Sequence, residues 1–282
     1  MLKRLIRTLD DSVHCRTLSE KLKYVVLRSL IPRLYKSYRT TDKHGHMYDM
    51  MTVTSVIERH IILTGVWEPH TTGWIEDSLS AGEVVWDIGA HIGYDSLLAG
   101  KLVGETGKVI AFEPHPVIAA QLRNNIALNG YKQIEVIEAC VVSEPDLKEV
   151  TLYFPDAKTL HSGMSSLVTP NSSEGNDRSA NDVRCLGVYL PEMLSEGKIP
   201  KPHLIKIDVE GFEAAVIRSL KEFFSNLDGP LSVIVEVRAK VDAKPEPIAL
   251  LEQFGNFKVI DRTTGQPKPE SSVEYDVLMR NH

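Results

Sequence analysis

From residue 84 onward the chain alternates between two hydrophobic rhythms. Short apolar runs occur at Val84-Val-Trp-Asp-Ile88, Lys108-Val-Ile-Ala-Phe112, Ile134-Glu-Val-Ile137, Leu204-Ile-Lys-Ile-Asp208 and Leu231-Ser-Val-Ile-Val-Glu-Val237. Stretches with apolar residues at helical spacing follow them, at 96–103, 116–129, 212–225 and 246–254. Near-continuous apolarity marks strands covered on both faces. Their alternation with helices predicts a parallel sheet joined by right-handed crossovers, so the fold class is α/β. The segments 258–260 and 275–279 predict a terminal hairpin on the sheet edge.

Two regions depart from this rhythm. Residues 1–40 place Leu18, Leu22, Val25, Val26 and Leu30 at helical spacing among Lys21, Lys23 and Arg28, which predicts one or two amphipathic helices ended or kinked by Pro32. Such a basic helix either packs its apolar stripe on the domain or meets anionic lipid or an acidic partner. Residues 155–185 are polar and turn-rich, a loop long enough to be either a lid or a disordered excursion. His161-Ser-Gly-Met-Ser-Ser-Leu167 leads into it.

The 282 residues are 43% hydrophobic and 25% charged, which supports a globular core and excludes a disordered or disulfide-scaffold chain. Cys15, Cys140 and Cys185 are odd in number and widely spaced, so neither a disulfide framework nor a cysteine-rich zinc module is expected. The net charge of −6 is unevenly spread: residues 1–46 hold 11 basic and 4 acidic residues, leaving 32 − 11 = 21 basic against 38 − 4 = 34 acidic in the rest. An acidic body disfavours nucleic acid as a partner. No apolar run reaches the roughly 18 residues of a membrane span, and the first residues lack a secretion signal, so a cytoplasmic location is expected. The expected division is a basic helical extension at 1–46 and a catalytic domain at 47–282.

Ligands of open parallel sheets bind beyond the carboxyl ends of the strands. After the first run comes Asp87-Ile-Gly-Ala-His-Ile-Gly93, whose glycines permit a tight turn and close approach of backbone N–H groups to a ligand. The spacing is not that of dinucleotide or triphosphate loops. Glu113 closes the second run, where an acid can accept hydrogen bonds from both ribose hydroxyls. A nucleoside pocket without a pyrophosphate signature points to S-adenosyl-L-methionine.

Asp87-Ile-Gly-Ala-His-Ile-Gly-Tyr-Asp-Ser-Leu97, Phe112-Glu-Pro-His-Pro116, Asn124-Asn-Ile-Ala-Leu-Asn129, Leu204-Ile-Lys-Ile-Asp-Val-Glu-Gly-Phe-Glu213 and Ile234-Val-Glu-Val237 occur in that order. Together they resemble the FkbM family of S-adenosylmethionine-dependent methyltransferases, over roughly residues 47–280. The Lys-Ile-Asp-Val-Glu-Gly-Phe-Glu block is the most specific element, and residues 1–40 lie outside the likeness. The resemblance implies a Rossmann-like class I fold: a mostly parallel seven-stranded sheet with helices on both faces. It implies O-methylation of a hydroxyl on a saccharide or natural product. It places Asp87, Gly89, Ala90, His91 and Gly93 about the methionine end of the cofactor. Glu113 takes the ribose with Pro114 and His115 beside it, and Ala139 and Cys140 lie against the adenine. Position 91, often an amide in this family, is His91 here.

Methyl transfer to a hydroxyl needs alignment and benefits from a base. Asp208, with Glu210 beside it, is the expected catalytic carboxylate; its alternative is a helix cap or a contact to the cofactor's amino group. Glu213 either extends an acidic rim or is first-turn helix charge. Glu236 is a charge inside a buried run, either a site residue or the partner of Lys206 on the next strand. His91 and His161 are weaker candidates for a base. His44-x-His46 and the His91/Asp95 pair lack a converging ligand set, so no metal is expected. Competing readings are methylation of a macromolecule and a non-catalytic binding module with this fold. The Asn/Asp-Pro-Pro-Tyr/Phe signature of amino-group methylation is absent after the fourth run.

Overall fold

The computed structural model describes residues 38–50, 56–153, 166–168, 183–209, 211–240, 245–263, 266–268 and 272–281. The amphipathic segment 1–37, Glu210 and His161 lie outside them. Within them the strands are β1 (Tyr38–Thr41), β2 (Met47–Met50), β3 (Val84–Ile88), β4 (Lys108–Phe112), β5 (Ile134–Ile137), β6 (Cys140–Val141) and β7 (Glu149–Tyr153). They continue with β8 (Ser166–Val168), β9 (Val183–Val188), β10 (Leu204–Ile207), β11 (Ser232–Lys240), β12 (Lys258–Arg262), β13 (Gln266–Lys268) and β14 (Ser272–Arg280). The helices are α1 (Val56–Thr64), α2 (Pro69–Ser78), α3 (Tyr94–Val103), α4 (Pro116–Asn129), α5 (Leu190–Ser195), α6 (Glu213–Ser219), α7 (Lys221–Ser225) and α8 (Glu246–Gly255).

The main sheet runs β12-β14-β11-β10-β3-β4-β5, with β13 paired to β14 at its side. β11, β10, β3, β4 and β5 are mutually parallel, and β14 is antiparallel to both β11 and β12. The seven-stranded, mostly parallel sheet is therefore present. The carboxyl-terminal hairpin takes one edge of the sheet as expected, with β14 inserted between β11 and the outermost β12. β14 takes the inner place because it carries Val277 and Met279 on one face and Leu278 on the other, all buried, whereas every residue of β12 is exposed.

Strand parity sorts the core. Val85, Val109, Ala111, Leu204, Ile234 and Leu278 face one side, under Trp74 and Ile75 of α2, Leu97 of α3 and Ile118 of α4. Trp86, Ile110, Ile205, Val233 and Met279 face the other, under Val216 of α6, Phe224 of α7 and Leu251 of α8. The helices match the predicted stretches with two differences. The helix expected from residue 96 begins at Tyr94, and the 212–225 stretch divides at Leu220 into α6 and α7.

Two further sheets alter the picture outside the alternating pattern. β6, β9, β7 and β8 form a small sheet, so the polar segment 155–185 contains β8 and the start of β9. β1 and β2 form an antiparallel hairpin, with Tyr38 opposite Met50. Residues 38–40 are thus strand, not helix, and the division expected after residue 46 falls inside this hairpin. Side chains of α4 hold it in place. Asn129 exchanges two 2.8 Å hydrogen bonds with the Met47 backbone, and Asn125 accepts from the Asp49 N–H at 3.0 Å. An asparagine at that spacing imitates a neighbouring strand for a hairpin whose backbone otherwise ends at the sheet.

Candidate active site

The carboxyl ends of β10, β3 and β4 lie side by side at one end of the sheet. The turn after β3 is built around Gly89, at φ +93°, where a Cβ would lie 1.9 Å from the Asp208 carbonyl oxygen. Gly93, at φ +91°, lets the start of α3 close on Leu122 of α4. The glycines therefore serve close packing of backbone and helix. Gly89 and Ala90 both donate to the Phe112 carbonyl at 3.0 Å, and Gly93 donates to Ala90 at 2.9 Å. These bonds tie the turn to β4 and make it a rigid wall.

Glu113 stands at the end of β4. One carboxylate oxygen accepts from the His91 N–H and the other from the His115 N–H, both at 2.9 Å. Burial raises its pKa to about 7 despite those two bonds. A carboxylate has about four acceptor positions, so two remain for a diol. His91 sits in the left-handed region at φ 49°, and it contributes this backbone donor. His115 is a helix cap: its Nδ1 accepts from the Val117 N–H at 3.2 Å, with Pro116 starting α4. Pro114, half-buried, lies between them.

Asp87 is buried inside β3. One oxygen accepts the Ser96 hydroxyl at 2.5 Å, and the other has no hydrogen-bond partner among the described residues. Burial raises its pKa to about 6, with Lys206 opposing the rise. Ala139 and Cys140 are buried past β5. The Cys140 thiol packs with Val142, Val150, Leu152 and Cys185 of the small sheet, and burial pushes it up to about 12. It is an inert wall and no nucleophile.

Lys206 is the residue that sequence reasoning undervalued. It lies inside β10 opposite Asp87 and is buried, and its ammonium donates to Asp208 at 2.9 Å and pairs with Asp95 of α3 at 3.2 Å. Burial works against its charge, but Asp208, Asp95 and Asp87 outweigh it and hold the ammonium well above its usual pKa. The pairing of Lys206 with Glu236 considered from sequence is replaced by these two. Glu236 is half-buried and stands in register beside Asp276 of β14. Asp208 does not cap α6. Glu213 does the bracing there, accepting from the Gly211 N–H at 2.8 Å and the Val209 N–H at 3.3 Å, so it shapes the turn from within instead of extending a rim.

Two acids escaped notice altogether. Asp276 accepts the Thr71 hydroxyl at 3.2 Å, and burial raises its pKa to about 6. Glu68, at φ 41° before Pro69 of α2, is raised well above the usual carboxylate range by burial and by Asp276. A carboxylate in the apolar stretch 275–279 was a readable signal for the first; nothing local marked the second. Among the described residues no group of three or more His, Cys, Asp or Glu is arranged to hold a metal ion.

The family described as Methyltransferase FkbM domain matches residues 87–256. Among curated proteins, the chain is 26% identical to the hexuronic acid methyltransferase AglP of Haloferax volcanii over 162 residues, 57% of this chain and 59% of that protein's length. It is 32% identical to the 31-O-demethyl-FK506 methyltransferase FkbM of Streptomyces tacrolimicus over 206 residues, 64% of this chain and 75% of that one. Among solved structures, Trm5b of Pyrococcus abyssi superposes with a TM-score of 0.50 at 12% identity, covering 88% of this chain and 57% of that chain, a likeness of fold alone.

Proposed function

The chain belongs to the FkbM methyltransferase family, and from that premise we propose that it transfers a methyl group from S-adenosyl-L-methionine to a hydroxyl of a saccharide or natural-product small molecule. The observation that carries the reading is the doubly braced Glu113 carboxylate beside the Gly89 turn, with the Asp208 backbone packed against that turn. The relatives named for a hexuronic acid and for 31-O-demethyl-FK506 support the acceptor class. A cytoplasmic location and action on no nucleic acid belong to the same proposal; no described helix is long and apolar enough to cross a membrane.

The donor set fits the cofactor. Glu113 has acceptor capacity left for the ribose diol, and the second Asp87 oxygen suits an ammonium group. Ala139 and Cys140 offer an uncharged surface for the adenine. When bound, S-adenosylmethionine supplies an electrophilic methyl on a sulfonium that departs as a neutral thioether. The chain's own task is orientation. Asp208, fixed on one oxygen by Lys206 and with a side chain still 29% exposed, holds the acceptor hydroxyl and takes its proton as attack proceeds. Glu236 lies one strand further along the same end of the sheet.

The direct test is calorimetric titration of the purified protein with S-adenosylmethionine and S-adenosylhomocysteine. Micromolar binding of both supports the reading; no binding by folded protein ends it. Glu113→Ala is expected to weaken cofactor binding by about 1–3 kcal/mol through loss of charged hydrogen bonds. Because ribose hydroxyls donate to the ionised carboxylate, affinity should rise with pH up to about 7 and then level off. Glu113→Gln should flatten that profile, and an unchanged profile would remove Glu113 from the ribose. Asp208→Asn is expected to lower kcat by about 100-fold or more while cofactor affinity stays within about threefold. A loss confined to cofactor binding would place Asp208 on the amino group instead.

A further inference from the structure

The face of α4 turned to the β1–β2 hairpin carries an amide side chain at every fourth position: Gln121, Asn125 and Asn129. Four residues of helix rise about 6 Å and two residues of strand about 6.8 Å, so the three amides keep step with alternate residues of β2. Gln121 donates to the Asp49 carbonyl at 3.2 Å and Asn125 accepts from the Asp49 N–H at 3.0 Å. Asn129 donates to and accepts from the Met47 backbone, both at 2.8 Å. The hairpin belongs to neither of the other sheets, and these bonds take the place of a third strand beside it.

Asn125 has a second task. Its Nδ2 donates at 2.9 Å to the carbonyl of Ile92, inside the turn that follows β3. The residue is fully buried, so water cannot replace either of its bonds. This bond fixes a peptide plane at both ends: Asn125 holds the Ile92 carbonyl, and the N–H of the same unit, that of Gly93, donates to Ala90 at 2.9 Å. The preceding residue, His91, sends its N–H to Glu113, the carboxylate assigned to the ribose. The orientation of the Ile92–Gly93 unit therefore bears on where that N–H points.

We propose that Asn125 is a positioning residue for cofactor binding: it fixes the Ile92–Gly93 peptide, and with it the donor that orients Glu113, and it couples that turn to the β1–β2 hairpin. Among the described residues Gln121 and Asn129 hold the same strand, and their bonds do not reach the turn, so the two tasks are separable by residue. An amide suits the place because its two arms offer an acceptor and a donor at once; an ionised aspartate lacks the donor, and an alkyl chain lacks both. Coupling of this kind is reciprocal. A cofactor that steadies the turn also steadies the hairpin, through the same side chain.

This inference rests on the methyltransferase reading, and the experiment separates the two. S-adenosylhomocysteine is titrated calorimetrically into the wild-type protein and into Asn125→Ala, Asn125→Asp and Asn129→Ala, with urea midpoints recorded for each. No binding by folded wild-type protein strikes the methyltransferase reading itself. With binding intact, each folded Asn125 variant should lose affinity by about fivefold or more, and by about fivefold more than Asn129→Ala. A smaller difference between the two positions overturns the assignment. Asn125→Asp keeps an acceptor for the Asp49 N–H and loses the donor to Ile92, so it decides the matter should the alanine variant not fold. Hydrogen exchange supplies a readout that a merely structural role leaves unmoved. In the wild-type protein S-adenosylhomocysteine should slow exchange of the Met47 amide, which lies on the hairpin and bonds Asn129, and in the folded Asn125 variants that response should vanish. A Met47 amide indifferent to the ligand in wild-type protein, or equally responsive in the variants, would overturn the coupling.

Discussion

Gly89→Ala is expected to destabilise the protein by about 3 kcal/mol or more, and to abolish cofactor binding in whatever fraction remains folded. Two independent costs add. The backbone at φ +93° lies in the left-handed region, where a side chain costs roughly 1–2 kcal/mol. The new Cβ would also lie 1.9 Å from the Asp208 carbonyl oxygen, which is backbone and cannot swing aside. Relieving such an overlap costs about 1–3 kcal/mol in a packed interior, and does so by separating the β3 turn from the β10 turn. That movement pulls Gly89 and Ala90 off the Phe112 carbonyl and displaces the His91 N–H from Glu113. Urea unfolding with cofactor titration checks both halves of the expectation. Gly130, at the end of α4 in the left-handed region (φ +72°) with nothing within 4 Å of its Cβ position, is the control: its alanine variant bears only the conformational cost. Equal losses at the two positions would show that contact with Asp208 is not what requires glycine.

Lys206→Met should be the other severe change. The substitution keeps approximate volume but removes the shared cation of Asp95 and Asp208, leaving two carboxylates facing a buried, uncompensated site. Breaking a buried ion pair from one side costs about 3–5 kcal/mol. The sign of its pH dependence follows from the carboxylates. Burial already holds Asp95 above its unfolded value of 3.8, with Lys206 opposing that rise, so loss of Lys206 lifts it further. A carboxylate raised in the folded state favours folding below its unfolded pKa, and that advantage is lost as pH rises through the folded value. The deficit of the variant is therefore smallest near pH 4 and reaches its full size around neutrality. Denaturation midpoints from pH 4 to 8 test this, and a deficit independent of pH would mean that Lys206 acts by packing alone. Adding Asp95→Asn to Lys206→Met should recover part of the loss at neutral pH.

These two residues also mark the limits of reading the chain without its fold. Gly89 was legible as a turn glycine because it follows an apolar run and precedes a helical stretch, but the reason it must be glycine was not. Its neighbour is Asp208, 119 positions away along the chain. Lys206 was visible as a charge in a buried strand, yet its partner was misjudged. Glu236 is on the adjacent strand, whereas Asp95 comes from the helix lying over that face. Local pattern reports which face a side chain takes, not which helix covers it. His115 was placed beside the ribose on position alone, and only the fold shows that its Nδ1 also caps α4.

The sequence by itself determined the strand–helix alternation, the α/β class, the family and the acid closing β4, because each is written in local periodicity and short motifs. Tertiary structure alone decided that β14 enters the sheet beside β11, and so placed Asp276 against Glu236. It alone brought Glu68 over that pair through the antiparallel course of α2, and set one lysine among the carboxylates. Charge in a cleft is a property of which strands and helices become neighbours, and that is settled by packing over long separations.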